Sequence, residues 1–185
     1  MPPGWTDVAA RIPDAVLDLR YATTRNFTRR QLYPRARCLL RAAVAERLAV
    51  AADALRRQGH RVLLWDCYRP ASIQVELWRL VPDPNFVAEP VFDDAGAPIG
   101  GSKHSRGAAV DVSLADAAGA PRTLPTDHDA FGPEASGGRA TGDAARNHTT
   151  LRDAMTAAGF EPMATEWWHY DAGDWTSYPL SDDPL

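Results

Sequence analysis

The sequence predicts an α+β fold: one domain over residues 1–185, with a small, mainly antiparallel sheet flanked by helices. Three observations lead there. The chain has 185 residues, 45% hydrophobic and 24% charged, enough for one compact core and too few for two ordinary domains. Segments with helical spacing of apolar residues alternate with short runs of strand character, in the order helix, strand, helix, strand, helix, strand. No internal repeat or low-complexity tract divides the chain.

Ala15 to Tyr21 alternates apolar and polar residues and is expected to be a strand, followed by a polar and basic loop to about Arg37. Leu39 to Gln58 is rich in alanine and leucine at helical spacing, with Gly59 at the position of a helix stop. Arg61 to Tyr68 reads as a mostly buried strand, and Pro70 opens a further helix to about Leu80. Pro82 to Gly101 holds several Pro and Gly without clear periodicity, so a long surface excursion is expected there. Ala108 to Leu114 is strand-like after Gly107, and Ala115 to Gly142 is loop-like. Asp143 to Ala158 should form a second long helix capped by Asp143 and stopped at Gly159, followed by a short strand over Thr165 to Tyr170.

The net charge of −4 offers no broad basic field for nucleic acid. Lys103 is the only lysine. No apolar run approaches the roughly 20 residues of a membrane span. The stretch Met1 to Asp7 lacks the basic and apolar regions of a secretory signal, so a cytoplasmic location is expected. Cys38 and Cys67 could pair, but they are accordingly read as small buried hydrophobes with reduced thiols. His60, His128 and His148 belong to no motif and are read as surface histidines. Oligomeric state is left open.

Two segments carry chemistry: Ser102 to Asp111, and Glu166-Trp167-Trp168-His169. His104, Asp111 and His169 supply two imidazoles and a carboxylate, a set that leaves a tetrahedral zinc ion one open position. Glu166 is then placed to take a proton from water at the metal. His104 and Asp111 are seven apart and would face opposite ways on an unbroken strand, so the chain must turn at Gly107. Glu166 and His169 likewise need a bend between them. Taken alone, the first pair also fits a surface pair, and the second an aromatic strand with a hydrogen-bonded histidine. Arg69, at the end of a strand, offers a guanidinium that can donate to an oxyanion.

Five blocks together resemble the D-alanyl-D-alanine dipeptidases, the zinc dipeptidases associated with vancomycin resistance and their housekeeping relatives. These are Tyr21-Ala-Thr, Asn26-Phe-Thr, Trp65-Asp-Cys-Tyr-Arg-Pro70, Ser102-x-His-Ser-Arg-Gly-x-Ala-x-Asp111 and Glu166-Trp-Trp-His-Tyr170. The wider group includes D,D-carboxypeptidases, lysostaphin-type endopeptidases and the hedgehog signalling domain. The resemblance implies a hedgehog/D,D-peptidase-like fold and one zinc ion on His104, Asp111 and His169. It implies Glu166 as general base and proton donor, Arg69 as oxyanion donor, and substrate contacts from Tyr21, Ser102 and Asp129. The implied partner is a small D,D-dipeptide. Two positions depart from the pattern: His128 stands where an aromatic such as Phe is expected, and Lys103 where a small hydroxyl is.

Two other functions compete. One is a peptidoglycan D,D-carboxypeptidase or endopeptidase on the same metal framework. The other is a non-catalytic domain that keeps zinc for stability.

Overall fold

The computed structural model describes residues 3–185; of the N-terminal stretch read above, Met1 and Pro2 lie outside the described residues. In chain order the elements are β1 (Trp5–Asp7), α1 (Val8–Arg11), β2 (Val16–Leu17), β3 (Leu39–Arg41), α2 (Ala42–Arg56), β4 (His60–Asp66), α3 (Ala71–Leu80), β5 (Val91–Phe92), β6 (Pro98–Gly100), β7 (Ala109–Asp116), α4 (Gly142–Ala157), β8 (Phe160–Pro162) and β9 (His169–Ala172).

The main sheet has five strands in the order β2-β4-β7-β9-β8, and only the β2–β4 pair is parallel. This is the mainly antiparallel α+β arrangement expected from the sequence. Residues Ala109 to Ala115 of the central strand β7 are all buried, so both faces of the sheet are covered there. On one face lies α2, whose buried positions Val44, Ala45, Leu48, Ala49, Ala52 and Leu55 recur at helical spacing. It packs with α4 against this sheet in one apolar core that includes Leu64, Val110, Val112, Leu151, Met155 and Trp168. A second cluster, with Trp5, Tyr21, Tyr33, Tyr68 and Leu77, fills the space beside the C-terminal end of β4.

Several expected boundaries move, each for a tertiary reason. Leu39–Arg41 is a strand rather than the start of α2, because it pairs antiparallel with Trp5–Asp7. The strand expected over Ala15 to Tyr21 shrinks to Val16–Leu17. Arg20–Ala22 forms a 3-10 turn instead, and the Tyr21 carbonyl accepts the N–H groups of Leu32 and Tyr33. Helix α4 begins one residue early, with Thr141 rather than Asp143 at its N-cap. The strand expected over Thr165 to Tyr170 starts only at His169, because Trp167 N–H donates to the Ala135 carbonyl and so joins a loop. The Pro82 to Gly101 excursion contains the small β5–β6 hairpin.

The two cysteines also depart from expectation. Cys38 and Cys67 are bonded to each other, with Cα atoms 5.2 Å apart. Residue 38 lies just before β3 and residue 67 just after β4, and the Tyr68 N–H donates to the Leu39 carbonyl. That backbone contact brings the two Cα atoms within bonding range.

Candidate active site and metal centre

The chemistry-bearing segments meet at one end of the β4–β7–β9 ladder. Asp111 on β7 lies directly opposite His169 on β9, and Asp66 on β4 pairs with Asp111 after a register shift. His104 sits on a 3-10 turn, Lys103–Arg106, that leads into β7. Ser102 caps this turn, its hydroxyl accepting the His104 N–H at 3.2 Å. Gly107 ends the turn in the left-handed region at φ 65°, and this reversal lets His104 and Asp111 converge despite their odd spacing. Glu166 stands in the turn before β9, whose His169 N–H donates to the Glu166 carbonyl at 3.2 Å.

His104, Asp111 and His169 are buried and each offers one ligand atom, all within 4.8 Å of one another. The imidazole protons are committed elsewhere. Nδ1 of His104 donates to the Cys67 carbonyl at 2.7 Å, and Nε2 of His169 to Asp171 Oδ1 at 2.9 Å. This leaves the lone pairs of His104 Nε2 and His169 Nδ1 facing each other at 3.2 Å, beside Asp111 Oδ1 at 3.3 and 3.0 Å. With both rings neutral, two imidazole lone pairs and a carboxylate oxygen fit a divalent cation such as zinc, which would displace the proton that His169 otherwise carries there. Asp171 is in turn held by Lys103 at 2.5 Å.

The electrostatics agree with that fit. Burial would raise the Asp111 carboxyl, but the imidazoles of His104, His128 and His169 hold it well below the usual carboxylate range. Burial also works against a charge on His169, yet Asp111 and Asp171 push its pKa up to about 10. The place favours positive charge, and a proton and a metal ion compete for it. Burial raises the carboxyls of Glu166 and Asp129 above their ordinary values.

All eight residues singled out in the sequence line one cavity of about 220 Å³: Tyr21, Arg69, Ser102, His104, Asp111, Asp129, Glu166 and His169. Arg69 is 8% exposed and gripped from behind. Its Nε and Nη2 donate to Asp66 Oδ2 at 3.1 and 2.7 Å, and its Nη1 donates to Gln74 at 2.8 Å. The Tyr21 ring lies under the guanidinium, 5.0 Å from it, and the Tyr21 hydroxyl donates to Asp129 at 3.0 Å. Pro84, Asn85, Phe86, Val87 and Ala88 of the long excursion form part of the wall.

Sequence reasoning missed several supporting residues. Asp171 follows His169 by two on one strand, so period-two alternation alone places both on one face. Asp66 and Gln74 carried no sequence signal as holders of Arg69. His128 is a correction: it is 8% exposed, not a surface residue, and contacts both Asp111 and Asp129. Of the other two histidines read as surface residues, His60 has a buried, unpaired Nδ1, and His148 packs edge-on against Trp167.

A family model described as D-ala-D-ala dipeptidase, peptidase M15, matches residues 2–183. Curated relatives agree with it. The D-alanyl-D-alanine dipeptidase of Escherichia coli (strain K12) is 33% identical over 184 residues, covering 96% of this chain and 89% of its own. The D-alanyl-D-alanine dipeptidase of Enterococcus faecium is 32% identical over 179 residues, with 89% and 88% covered. That of Streptomyces coelicolor is 33% identical over 171 residues, with 83% of each chain covered.

Proposed function

Because the chain belongs to the D-Ala-D-Ala dipeptidase family of M15 peptidases, we propose that it hydrolyses D-alanyl-D-alanine to two D-alanines, with zinc on His104, Asp111 and His169. The observation that carries this reading is the convergence of His104 Nε2, Asp111 Oδ1 and His169 Nδ1 in a cavity that Glu166 and Arg69 also line.

A zinc ion at these three residues supplies Lewis acidity and lowers the pKa of water there toward about 7. The chain's own groups do the rest. The Glu166 carboxylate takes one proton from the attacking water, whose oxygen bonds to the amide carbon. Burial raises Glu166, and this suits it to carry that proton and release it to the departing nitrogen as the C–N bond breaks. Arg69 retains N–H groups that Asp66 and Gln74 do not use, and these donate to the oxyanion. At one end of the dipeptide the ammonium meets Asp129, itself fixed by Tyr21. At the other end the carboxylate meets Ser102.

The expected result is D-alanine release from the zinc-loaded protein with D-Ala-D-Ala, and none with L-Ala-L-Ala. A chelator should abolish it. Glu166→Ala should lower kcat by about 10²–10⁴-fold while zinc content, read by atomic absorption, stays at the wild-type level. Turnover that survives this substitution overturns the role of Glu166. Faster cleavage of a pentapeptide stem than of free dipeptide would favour a D,D-carboxypeptidase instead. The Cys38–Cys67 bond is a pairing that persists in an oxidising compartment, so the cytoplasmic location expected from the sequence is put to the test by thiol trapping in cell fractions. Because both cysteines are buried, alkylation follows acid quenching and denaturation: labelling of Cys38 and Cys67 indicates a reducing compartment, and a bonded, unlabelled pair overturns the cytoplasmic location.

A further inference from the structure

We propose that His128 is a positioning residue that ties the carboxylate of the metal set to the carboxylate that receives the substrate's ammonium. The second half of this rests on the dipeptidase reading; the first half does not. Asp111 turns one oxygen, Oδ1, toward His104 and His169. Its other oxygen, Oδ2, meets Nε2 of His128 at 3.1 Å. The opposite nitrogen of the same ring, Nδ1, lies 3.2 Å from Oδ2 of Asp129. One imidazole therefore spans the gap between the two carboxylates. By occupying Asp111 Oδ2 it leaves Oδ1 as the oxygen presented to the cation.

The ring is fixed on all sides. Its side chain is 1% exposed, and it stands among Trp65, Trp168 and Tyr21 at centroid distances of 5.2, 5.8 and 6.0 Å. Its backbone N–H donates to Asp127, which Arg20 grips through both carboxylate oxygens. Thr126, two residues earlier, accepts the Trp167 indole N–H at 2.8 Å. The next residue, Asp129, holds a left-handed backbone at φ 54°. A non-glycine residue keeps that conformation when its surroundings hold it there. The contacts of His128, together with the Tyr21 hydroxyl, supply that hold and aim Asp129 into the cavity.

A phenylalanine fills similar space without either polar contact, and the two amides each replace one of them. The amide nitrogen of Gln extends to the position of Nε2, and that of Asn to the position of Nδ1. Two constants are read on folded protein: the zinc dissociation constant, by competition with a chromophoric chelator and without substrate, and KM for D-Ala-D-Ala at saturating zinc. His128→Phe should weaken zinc binding about 10–100-fold, the range for lost hydrogen-bond partners of metal ligands, and raise KM. His128→Gln should restore zinc affinity and leave KM raised. His128→Asn should restore KM and leave zinc affinity weak. His128→Phe with both constants within about twofold of wild type overturns the proposal. Should that variant not fold, equal effects of Gln and Asn on both constants overturn it, because a merely structural ring would produce no split. Wild-type protein that binds zinc but leaves D-Ala-D-Ala intact would sink the dipeptidase reading, and the zinc constants would still decide the tie to Asp111.

Discussion

Arg69 commits three of its five N–H groups to holding itself in place, two on Asp66 and one on Gln74. Asp66 is fully buried, and Tyr33 and the Cys67 N–H donate to its other oxygen. Removing the guanidinium therefore has two effects. Arg69→Ala should lower kcat about 10²–10³-fold through the lost oxyanion donor. It should also destabilise the fold by about 3–5 kcal/mol, because a buried carboxylate loses its partner. Urea unfolding separates the two: adding Asp66→Asn to Arg69→Ala should recover much of the stability and none of the activity. Seven of the eight site residues were legible because each is a chemically marked type inside a compact block, and Asp129, outside every block, came only from the family resemblance. His128 was not, since a lone histidine carries no mark of the two carboxylates it meets, one of them 17 positions away in sequence.

The turn that carries His104 depends on Gly107. A Cβ at this position would lie 2.3 Å from Cζ3 and 2.6 Å from Cη2 of the Trp5 indole, and φ is 65°. Trp5 is buried against Tyr68 and lies under Arg41, so it has little room to yield. Gly107→Ala should cost about 1–3 kcal/mol through overpacking and backbone strain, visible as a lower urea midpoint. It should also weaken zinc binding by moving His104. Wild-type stability in this variant would contradict the close approach of the indole. Among the elements, α2, α3, α4 and β4 were readable because apolar periodicity is a local signal. The misplaced ones share a cause. Leu39–Arg41 is strand only because Trp5–Asp7 lies beside it, and Thr165–Trp168 is loop because Ala135 takes the Trp167 N–H. Such pairings leave no trace in the spacing of either segment.

The Cys38–Cys67 bond closes a separation of 29 residues and joins the edge strand β3 to the end of β4. A loop of this length contributes about 3–4 kcal/mol in the chain-entropy account. Reduced protein, or the Cys38→Ala/Cys67→Ala pair, should therefore melt several degrees lower than the bonded form in calorimetry. Equal melting temperatures would mean that packing alone fixes β3. The expected cytoplasmic location favoured free thiols here, and a separation in sequence says nothing about which chain ends a sheet brings together.

The opposition of Asp111 and His169 on neighbouring buried strands reaches further than catalysis. The backbone ladder, the Cys67 carbonyl and Asp171 hold these donors through bonds of the polypeptide's own. The site thus rests on a sheet and an apolar core that no ion is needed to build, unlike small zinc modules whose shape collapses on chelation. Stripping the ion should silence the protein and leave its far-ultraviolet circular dichroism unchanged, and adding zinc back should revive it without a refolding delay.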